Sequence, residues 1–263
     1  MRLPKYKKAI HFISTLVESL IDVRKNNEKY PEDLLSVLVQ NYEENPREQK
    51  LLKDQIINFL LAGHETTSNA LSWFFYEVTQ RPEIKEKILL EIDTYIGSGV
   101  ITFDGIMKLK YTKAVFQETL RLYPPVWSMS RTSLRNVSLP LENGQNVLVP
   151  KDATVMLCSY AVHRRAKYWE NPCAFDPDRF LEDKGRPQFC YFPFSLGPRL
   201  CIGHKFALIE TLVAITMLIR EFDFSLVPGQ DIKPDPIITL RPNKPVWFNV
   251  QRKEVLMPIR KAA

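Results

Sequence analysis

Residues 194–203 read Phe-Ser-Leu-Gly-Pro-Arg-Leu-Cys-Ile-Gly, and this stretch decides how the rest of the chain is interpreted. Five of its positions form the pattern F-x-x-G-x-R-x-C-x-G, namely Phe194, Gly197, Arg199, Cys201 and Gly203. The glycines permit tight turns and a close approach of the backbone to a flat ligand. A lone cysteine in a glycine turn is most often a core residue, but five residues at set spacing argue against that interpretation of Cys201.

A second unusual stretch, Ala-Gly-His-Glu-Thr-Thr-Ser at residues 62–68, lies inside a long apolar helical pattern. Glycine in a helix costs about 0.8–1.0 kcal/mol relative to alanine, and a buried carboxylate costs more unless it is paired. Such costs are typical of functional sites. A Ser/Thr-rich kink with Glu65 exposed is the structural alternative.

A pair of charges, Glu118 and Arg121, stands three residues apart in a predicted helix, so both side chains lie on one face and can pair. Read alone, this spacing is typical of a surface ion pair. Residues 175–180, Phe-Asp-Pro-Asp-Arg-Phe, form a further motif that contains Arg179.

The composition is that of a globular protein, with 45% hydrophobic and 25% charged residues among 263. The net charge is +6, but no basic stripe accompanies a nucleic-acid-binding motif, so nucleic-acid binding is not expected. An acidic protein partner or an anionic membrane surface stays open. The four cysteines include no C-x-x-C pair, which argues against a disulfide framework and a zinc ribbon and suits a reducing compartment.

The periodicity predicts a mainly α protein with small β-sheets (α+β), forming one unit over residues 1–263. The start resembles a signal peptide, but charged residues interrupt its apolar run, and an amphipathic helix is the better interpretation. The predicted helices cover residues 10–21, 31–38, 48–79 (buried along its length), 83–96, 111–123 and 203–220. The predicted strands lie within residues 126–160 around a turn at 142–144, and near 222–227, 237–241 and 246–250.

Together, the cysteine loop, the 62–68 stretch, the E-x-x-R pair and the 175–180 motif resemble the cytochrome P450 monooxygenases, in the family's order and spacing over roughly residues 31–252. The resemblance implies the C-terminal half of that fold, with the N-terminal part missing. By the same resemblance, the missing part would include the membrane anchor, part of the β-sheet and the helices that roof the substrate pocket. Asp178 stands where many relatives carry Glu.

The resemblance assigns roles to the motif residues. Cys201 would be the axial ligand of haem iron, a ligand whose thiolate donates electron density for O–O cleavage. Glu65 and Thr66 would be the catalytic pair that delivers protons to dioxygen. Glu118, Arg121 and Arg179 would form a buried structural network.

Further residues are expected at the cofactor and the substrate. Arg199 and Arg131 would bind the haem propionates. The remaining expected cofactor-binding residues are Phe194, Gly197, Gly203 and Ala62. The expected substrate-lining residues are Val126, Trp127, Ile238 and Thr239.

The implied activity is the insertion of one oxygen atom of O2 into a lipophilic substrate of sterol or fatty-acid type, with haem b (iron protoporphyrin IX) as the cofactor. The motifs most resemble those of the sterol-hydroxylating members. Electrons would come from NADPH-cytochrome P450 reductase or another redox partner, at the cytosolic face of the endoplasmic reticulum membrane, although this chain carries no anchor. The alternative is a truncated, non-catalytic haem-binding or interaction fragment.

Overall fold

The computed structural model of the chain describes residues 3–26, 31–42, 45–141, 143–182 and 185–253. The α-helices within them are α1 (Leu3–Lys25), α2 (Leu34–Asn41), α3 (Pro46–Thr79), α4 (Pro82–Tyr95), α5 (Phe103–Met107), α6 (Lys110–Leu122), α7 (Ser159–Val162) and α8 (His204–Glu221). The strands are β1 (Met129–Thr132), β2 (Val137–Pro140), β3 (Asn146–Val149), β4 (Thr154–Leu157), β5 (Phe222–Leu226), β6 (Pro234–Pro236), β7 (Leu240–Pro242) and β8 (Phe248–Arg252). The fold is mainly helical with small sheets, as predicted.

The strands form four two-stranded antiparallel sheets, β1 with β4, β2 with β3, β5 with β8 and β6 with β7. The turn between β2 and β3 contains Gly144 at φ 80°, a left-handed conformation that favours glycine. Its predicted first residue, Glu142, lies outside the described residues. Within the described ranges, no helix combines the length and the apolar content needed to cross a membrane.

The predicted helices are confirmed, and α3, α4 and α8 begin and end within two residues of the predicted bounds. Pro46 and Pro82 occupy the first position of α3 and α4, where the missing N–H would have no helical partner. Helix α6 begins differently, because the Glu91 carboxylate of α4 accepts hydrogen bonds from the backbone N–H groups of Tyr111 and Thr112, both at 2.7 Å. A side chain from another helix therefore supplies the cap.

The chain divides into two compact units, residues 1–65 and 66–263. The first unit contains α1, α2 and the start of α3, and its buried core consists of Val17, Ile21, Val39, Leu52 and Ile56. Asp33 caps α2 by accepting a 2.9 Å hydrogen bond from the Ser36 backbone N–H.

The second unit holds the larger core, which is built from the end of α3 together with α4, α5, α6 and α8. Fully buried members include Phe74 of α3, Ile88 of α4, Val115 of α6 and Ile215 of α8. Burying a side chain of this size contributes about 1.5–3 kcal/mol. This packing fixes the helices from which the ion network and the cysteine loop extend.

Helix α3 contributes buried residues to the core of each unit, but residues in its middle are exposed. Ile56 belongs to the first core and Phe74 to the second, whereas residues 60–64 are exposed and Leu61 is 57% exposed. The prediction that the helix is buried along its length is wrong for residues 60–64. The apolar pattern there is not matched by a covering element among the described residues.

A buried ion network joins α6 to the irregular segment before the cysteine loop. Glu118 and Arg121 are completely buried, and the Arg121 Nε and Nη2 atoms donate to the two Glu118 carboxylate oxygens at 2.7 and 2.8 Å. Arg179 Nε donates to Glu118 Oε1 at 3.2 Å, and the Asp176 backbone N–H donates to the same oxygen at 2.8 Å. The carboxylate is thereby fully compensated, as a buried charge must be.

The two arginines use their remaining N–H groups on backbone carbonyls of residues 163–174. The acceptors of Arg121 are the carbonyls of His163, Pro172 and Ala174, at 2.7–2.9 Å. The acceptors of Arg179 are the carbonyls of Glu170 and Asn171. This segment lacks regular secondary structure over most of its length, so side chains supply the donors that its carbonyls need.

We expect Glu118→Ala to lower the free energy of unfolding by about 3–5 kcal/mol, because it leaves buried guanidinium groups without a counter-charge. Urea denaturation followed by circular dichroism measures the change. The exposed Glu210→Ala is the control and should stay within about 0.5 kcal/mol of wild type. Equal effects of the two substitutions would contradict the role of the network.

His163 is completely buried beside this network, and its Nε2 accepts a 2.9 Å hydrogen bond from the Phe192 backbone N–H. Burial, together with the nearby positive charges of Arg121 and Arg164, lowers the pKa of the imidazole from 6.5 to about 3. The ring is therefore neutral at physiological pH. Its proton lies on Nδ1, which has no hydrogen-bond partner among the described residues.

This low pKa makes stability depend on pH. Between about pH 6.5 and pH 3 the unfolded chain binds a proton at His163 that the folded chain does not, so the contribution of neutral His163 is complete above pH 6.5 and falls as the pH falls. At pH 5 we expect wild type to lose about 2 kcal/mol relative to His163→Gln. Urea unfolding at pH 7.5 and pH 5 tests this, and identical pH dependence of the two proteins would contradict it.

Candidate functional site

The cysteine loop is ordered by its own backbone hydrogen bonds. The Ser195 N–H donates to the Phe192 carbonyl at 3.1 Å, and the Cys201 N–H donates to the Phe194 carbonyl at 2.9 Å. Between them, a 3-10 turn over Gly197–Arg199 closes with a bond from the Leu200 N–H to the Gly197 carbonyl at 3.0 Å. The loop folds back so that the backbone of residue 194 meets that of residue 201.

Two residues of this loop have a left-handed backbone. Ser195 and Gly197 both have φ 63°. Glycine adopts this conformation without a steric cost, which explains the residue type at position 197. For serine the conformation is uncommon, and such strain is found at functional sites where the surrounding structure enforces it.

The Cys201 thiol lies at the surface, immediately before helix α8. It is free and exposed, and its carbonyl accepts a 3.3 Å hydrogen bond from the His204 N–H at the start of the helix. A Cβ atom at Gly203 would lie 3.9 Å from the Cys201 sulfur. This is an ordinary van der Waals distance, so position 203 lies directly beside the thiol.

Apolar side chains surround the thiol in sequence and are exposed. Leu200 is 45%, Ile202 87% and Phe206 71% exposed. All three lie within five residues of Cys201 in the sequence. The combination of a soft sulfur donor and apolar flanks suits a flat, hydrophobic metal complex.

The two arginines expected at the site are exposed. Arg199 lies in the 3-10 turn, and Arg131 lies on β1, opposite Val155 of β4. Arg131 Nη1 donates to the neighbouring Ser130 carbonyl at 2.9 Å. Over the described residues neither arginine forms an ion pair with a carboxylate, so both guanidinium groups are able to bind an anionic group.

The motif at residues 62–68 lies in the middle of α3. Ala62 and Gly63 are exposed, and Glu65 and Thr66 are half-buried. A Cβ atom at Gly63 would meet nothing within 4 Å, so no described protein group requires glycine there. Glu65 ends the first unit, and Thr66 begins the second unit, which also contains Cys201.

The four residues expected at the substrate differ in exposure. Val126 is 39% and Ile238 85% exposed, Trp127 is half-buried, and Thr239 is only 7% exposed. Thr239 Oγ1 accepts a 3.0 Å hydrogen bond from Asn69 of α3. Its hydroxyl is therefore bound to the protein.

Hydrogen bonds also bring together the two segments that were expected to line the substrate site. The Leu240 N–H donates to the Pro125 carbonyl at 2.8 Å, which places residues 125–127 beside residues 238–240. The segment at residues 238–240 also contacts α3, where Trp73 Nε1 donates to the Leu240 carbonyl at 3.4 Å.

A buried polar cluster next to these segments was missed from the sequence. Glu77 is 4% exposed, accepts a hydrogen bond from the Tyr123 hydroxyl and pairs with Arg81. Trp73 stacks on Tyr123 with a ring-centre distance of 4.0 Å. Burial, with Glu77 as a second cause, raises the pKa of Tyr123. The available signal was the four-residue spacing of Glu77 and Arg81 at the end of an apolar helix.

Comparison with known proteins gives consistent matches. The family model of cytochrome P450 matches residues 3–250. A cytochrome P450 of Mycobacterium tuberculosis is 33% identical over 238 residues, which cover 90% of this chain and 50% of that protein. Human cytochrome P450 3A5 is 34% identical over 259 residues (94% and 51%), and rat cytochrome P450 4A12 is 33% identical over 234 residues (88% and 45%).

This chain spans about half the length of the curated relatives that it matches. The matching family model nevertheless covers almost all of its residues, including the cysteine loop and the buried ion network. The chain therefore belongs to the cytochrome P450 family.

Proposed function

We propose that this chain is the haem-binding half of a P450 monooxygenase, in which the Cys201 thiolate is the axial ligand of haem b. The observation that carries this proposal is the cysteine loop itself. It is an internally hydrogen-bonded loop that presents a free, exposed thiol at the start of α8. A haem-thiolate site needs such a donor on a rigid support.

The residues present fit a haem group. The sulfur is the soft donor that the iron requires, and exposed apolar side chains such as Ile202 flank it. Arg199 and Arg131 have guanidinium groups that would bind the two propionates. Phe194, Gly197 and Gly203 keep the loop compact where haem would bind, and Ala62 of α3 is a further proposed cofactor-binding residue. When bound, haem supplies the chemistry of O2 activation.

Two residues of α3 would supply protons, and the buried ion network would order the cysteine loop. The Thr66 hydroxyl is half-buried on α3 and would pass a proton to the oxygen substrate. Glu65, the preceding residue, would exchange protons with water. Glu118, Arg121 and Arg179 act at a distance by ordering the segment that leads to the cysteine loop.

The proposed substrate is a lipophilic molecule of sterol or fatty-acid type, because the sequence motifs resemble those of cholesterol 24-hydroxylase. Val126, Trp127 and Ile238 would line its site, whereas the buried Thr239 would hold the segment in place. The proposed electron donor is NADPH-cytochrome P450 reductase or another redox partner, at the endoplasmic reticulum membrane. Lys110 and Lys205 are exposed and, by resemblance to the family, would attract an acidic partner.

A second candidate function is a non-catalytic fragment that binds haem weakly or acts through protein contacts. The observation that favours it is the exposure of apolar residues in the middle of α3, such as Leu61 at 57%. An absorption spectrum of the reduced, CO-bound chain separates the two candidate functions, because only a protein with thiolate-ligated haem gives the thiolate-type absorption band.

We expect Cys201→Ser to abolish the thiolate-type spectrum of the reduced, CO-bound chain, because serine lacks the soft sulfur donor. Far-UV circular dichroism should be unchanged. Cys173→Ser, which removes another exposed free cysteine, is the matched control and should keep the spectrum. A Cys201→Ser protein with the wild-type spectrum would exclude Cys201 as the ligand.

We expect Thr66→Ala, in an assay with the electron donor, to divert electrons to peroxide. Product formed per NADPH should fall about tenfold or more, since a positioned proton donor contributes about 10²–10⁴-fold. Thr79→Ala removes a hydroxyl from the end of the same helix, where it bonds to the Phe75 carbonyl, and should leave coupling unchanged. Unchanged coupling in Thr66→Ala would remove this residue from proton delivery.

A further inference from the structure

His163 connects the buried ion network to the cysteine loop through two different atoms. Its backbone carbonyl accepts a 2.8 Å hydrogen bond from Arg121 Nη1, and its ring Nε2 accepts a 2.9 Å hydrogen bond from the Phe192 N–H. The side chain is 0% exposed. One buried residue is therefore hydrogen-bonded both to the ion network and to Phe192, which lies just before the cysteine loop.

Phe192, the residue that contacts His163, lies two residues before the start of the cysteine loop at Phe194. The Phe192 carbonyl accepts the Ser195 N–H at 3.1 Å, and two residues later the Phe194 carbonyl accepts the Cys201 N–H at 2.9 Å. Both of these hydrogen bonds depend on the position of the backbone of residues 192–194. The His163 ring fixes that backbone at its first N–H group.

The surroundings hold the ring in the accepting state. Tyr191 and Phe192 pack around it, each with a ring-centre distance of 5.2 Å. Burial also keeps the imidazole neutral, and only a neutral imidazole has a nitrogen that accepts. A protonated ring carries hydrogen on both nitrogens, so its Nε2–H would face the Phe192 N–H and could not accept from it.

We propose that His163 is a positioning residue for Cys201, because its Nε2 holds the Phe192 backbone and so sets the loop that presents the thiol. This inference rests on the proposed haem-thiolate function for its consequence, but the positioning itself concerns only the protein. It is not a catalytic residue, since it touches neither the thiol nor any reacting atom.

Two substitutions separate the hydrogen bond from the packing. His163→Phe keeps an aromatic ring against Tyr191 and Phe192 but has no acceptor. His163→Gln loses the ring but keeps a neutral acceptor. Tyr191→Phe is the matched control, because it removes a buried 3.0 Å hydrogen bond to the Gln117 carbonyl of α6 rather than to the loop.

The first measurement is amide hydrogen exchange by NMR in the haem-free chain. In His163→Phe, we expect the Phe192 and Cys201 amides to exchange about tenfold faster or more, while amides in the centre of α6 stay protected. His163→Gln and Tyr191→Phe should keep wild-type exchange at both amides. Wild-type exchange in His163→Phe, or fast exchange in His163→Gln, overturns the proposal. If His163→Phe does not fold, the Gln variant decides alone by the same criterion.

The second measurement is the reduced CO spectrum of the haem-loaded chain. We expect His163→Phe to lose most of the thiolate-type band and His163→Gln to keep it. Retention of the full band in His163→Phe, with wild-type loaded in parallel, overturns the proposal. If wild type itself gives no thiolate band, the proposed function fails, and the amide exchange of the haem-free protein then decides the positioning role by itself.

Discussion

The Glu118 carboxylate, completely buried on α6, is the charge around which the second unit is arranged. It accepts hydrogen bonds from Arg121, from Arg179 and from the backbone of Asp176. A buried charge of this kind is tolerated only when every partner is in place. The arginines that compensate it also donate to carbonyls of the irregular segment between α7 and the cysteine loop. One ionic cluster therefore replaces the hydrogen bonds that a regular helix or sheet would have given that segment.

Local patterns in the sequence predicted the parts of this structure that depend on local interactions. Helical periodicity and proline placement located α3, α4 and α8, and the three-residue spacing predicted that Glu118 and Arg121 pair. Contacts across long stretches of chain left no such pattern. The cap that Glu91 gives to α6 crosses about 20 residues, and the bond from His163 to Phe192 crosses 29. Both depend on packing, which composition and spacing do not encode.

Exposure was the second property that periodicity could not predict. The apolar residues of α3 indicated burial on several faces, yet residues 60–64 are exposed, although Ile56 before them and Phe74 after them are buried. A hydrophobic pattern in the sequence predicts an apolar helix surface, but it does not predict which group covers that surface. The same holds at Ile202 and Phe206, which are exposed beside the thiol. Apolar residues near a site thus indicate binding capacity more directly than they indicate a core.

The loop that carries Cys201 satisfies its closing hydrogen bonds from within, and it does so with a left-handed serine at position 195. Such a conformation costs of order 1–3 kcal/mol and persists only where neighbouring contacts enforce it. The enforcing contacts lie upstream, where Phe192 is held by His163 and His163 by Arg121. The conformational cost of presenting the thiol is therefore met during folding, and a ligand that binds there does not have to order the loop itself.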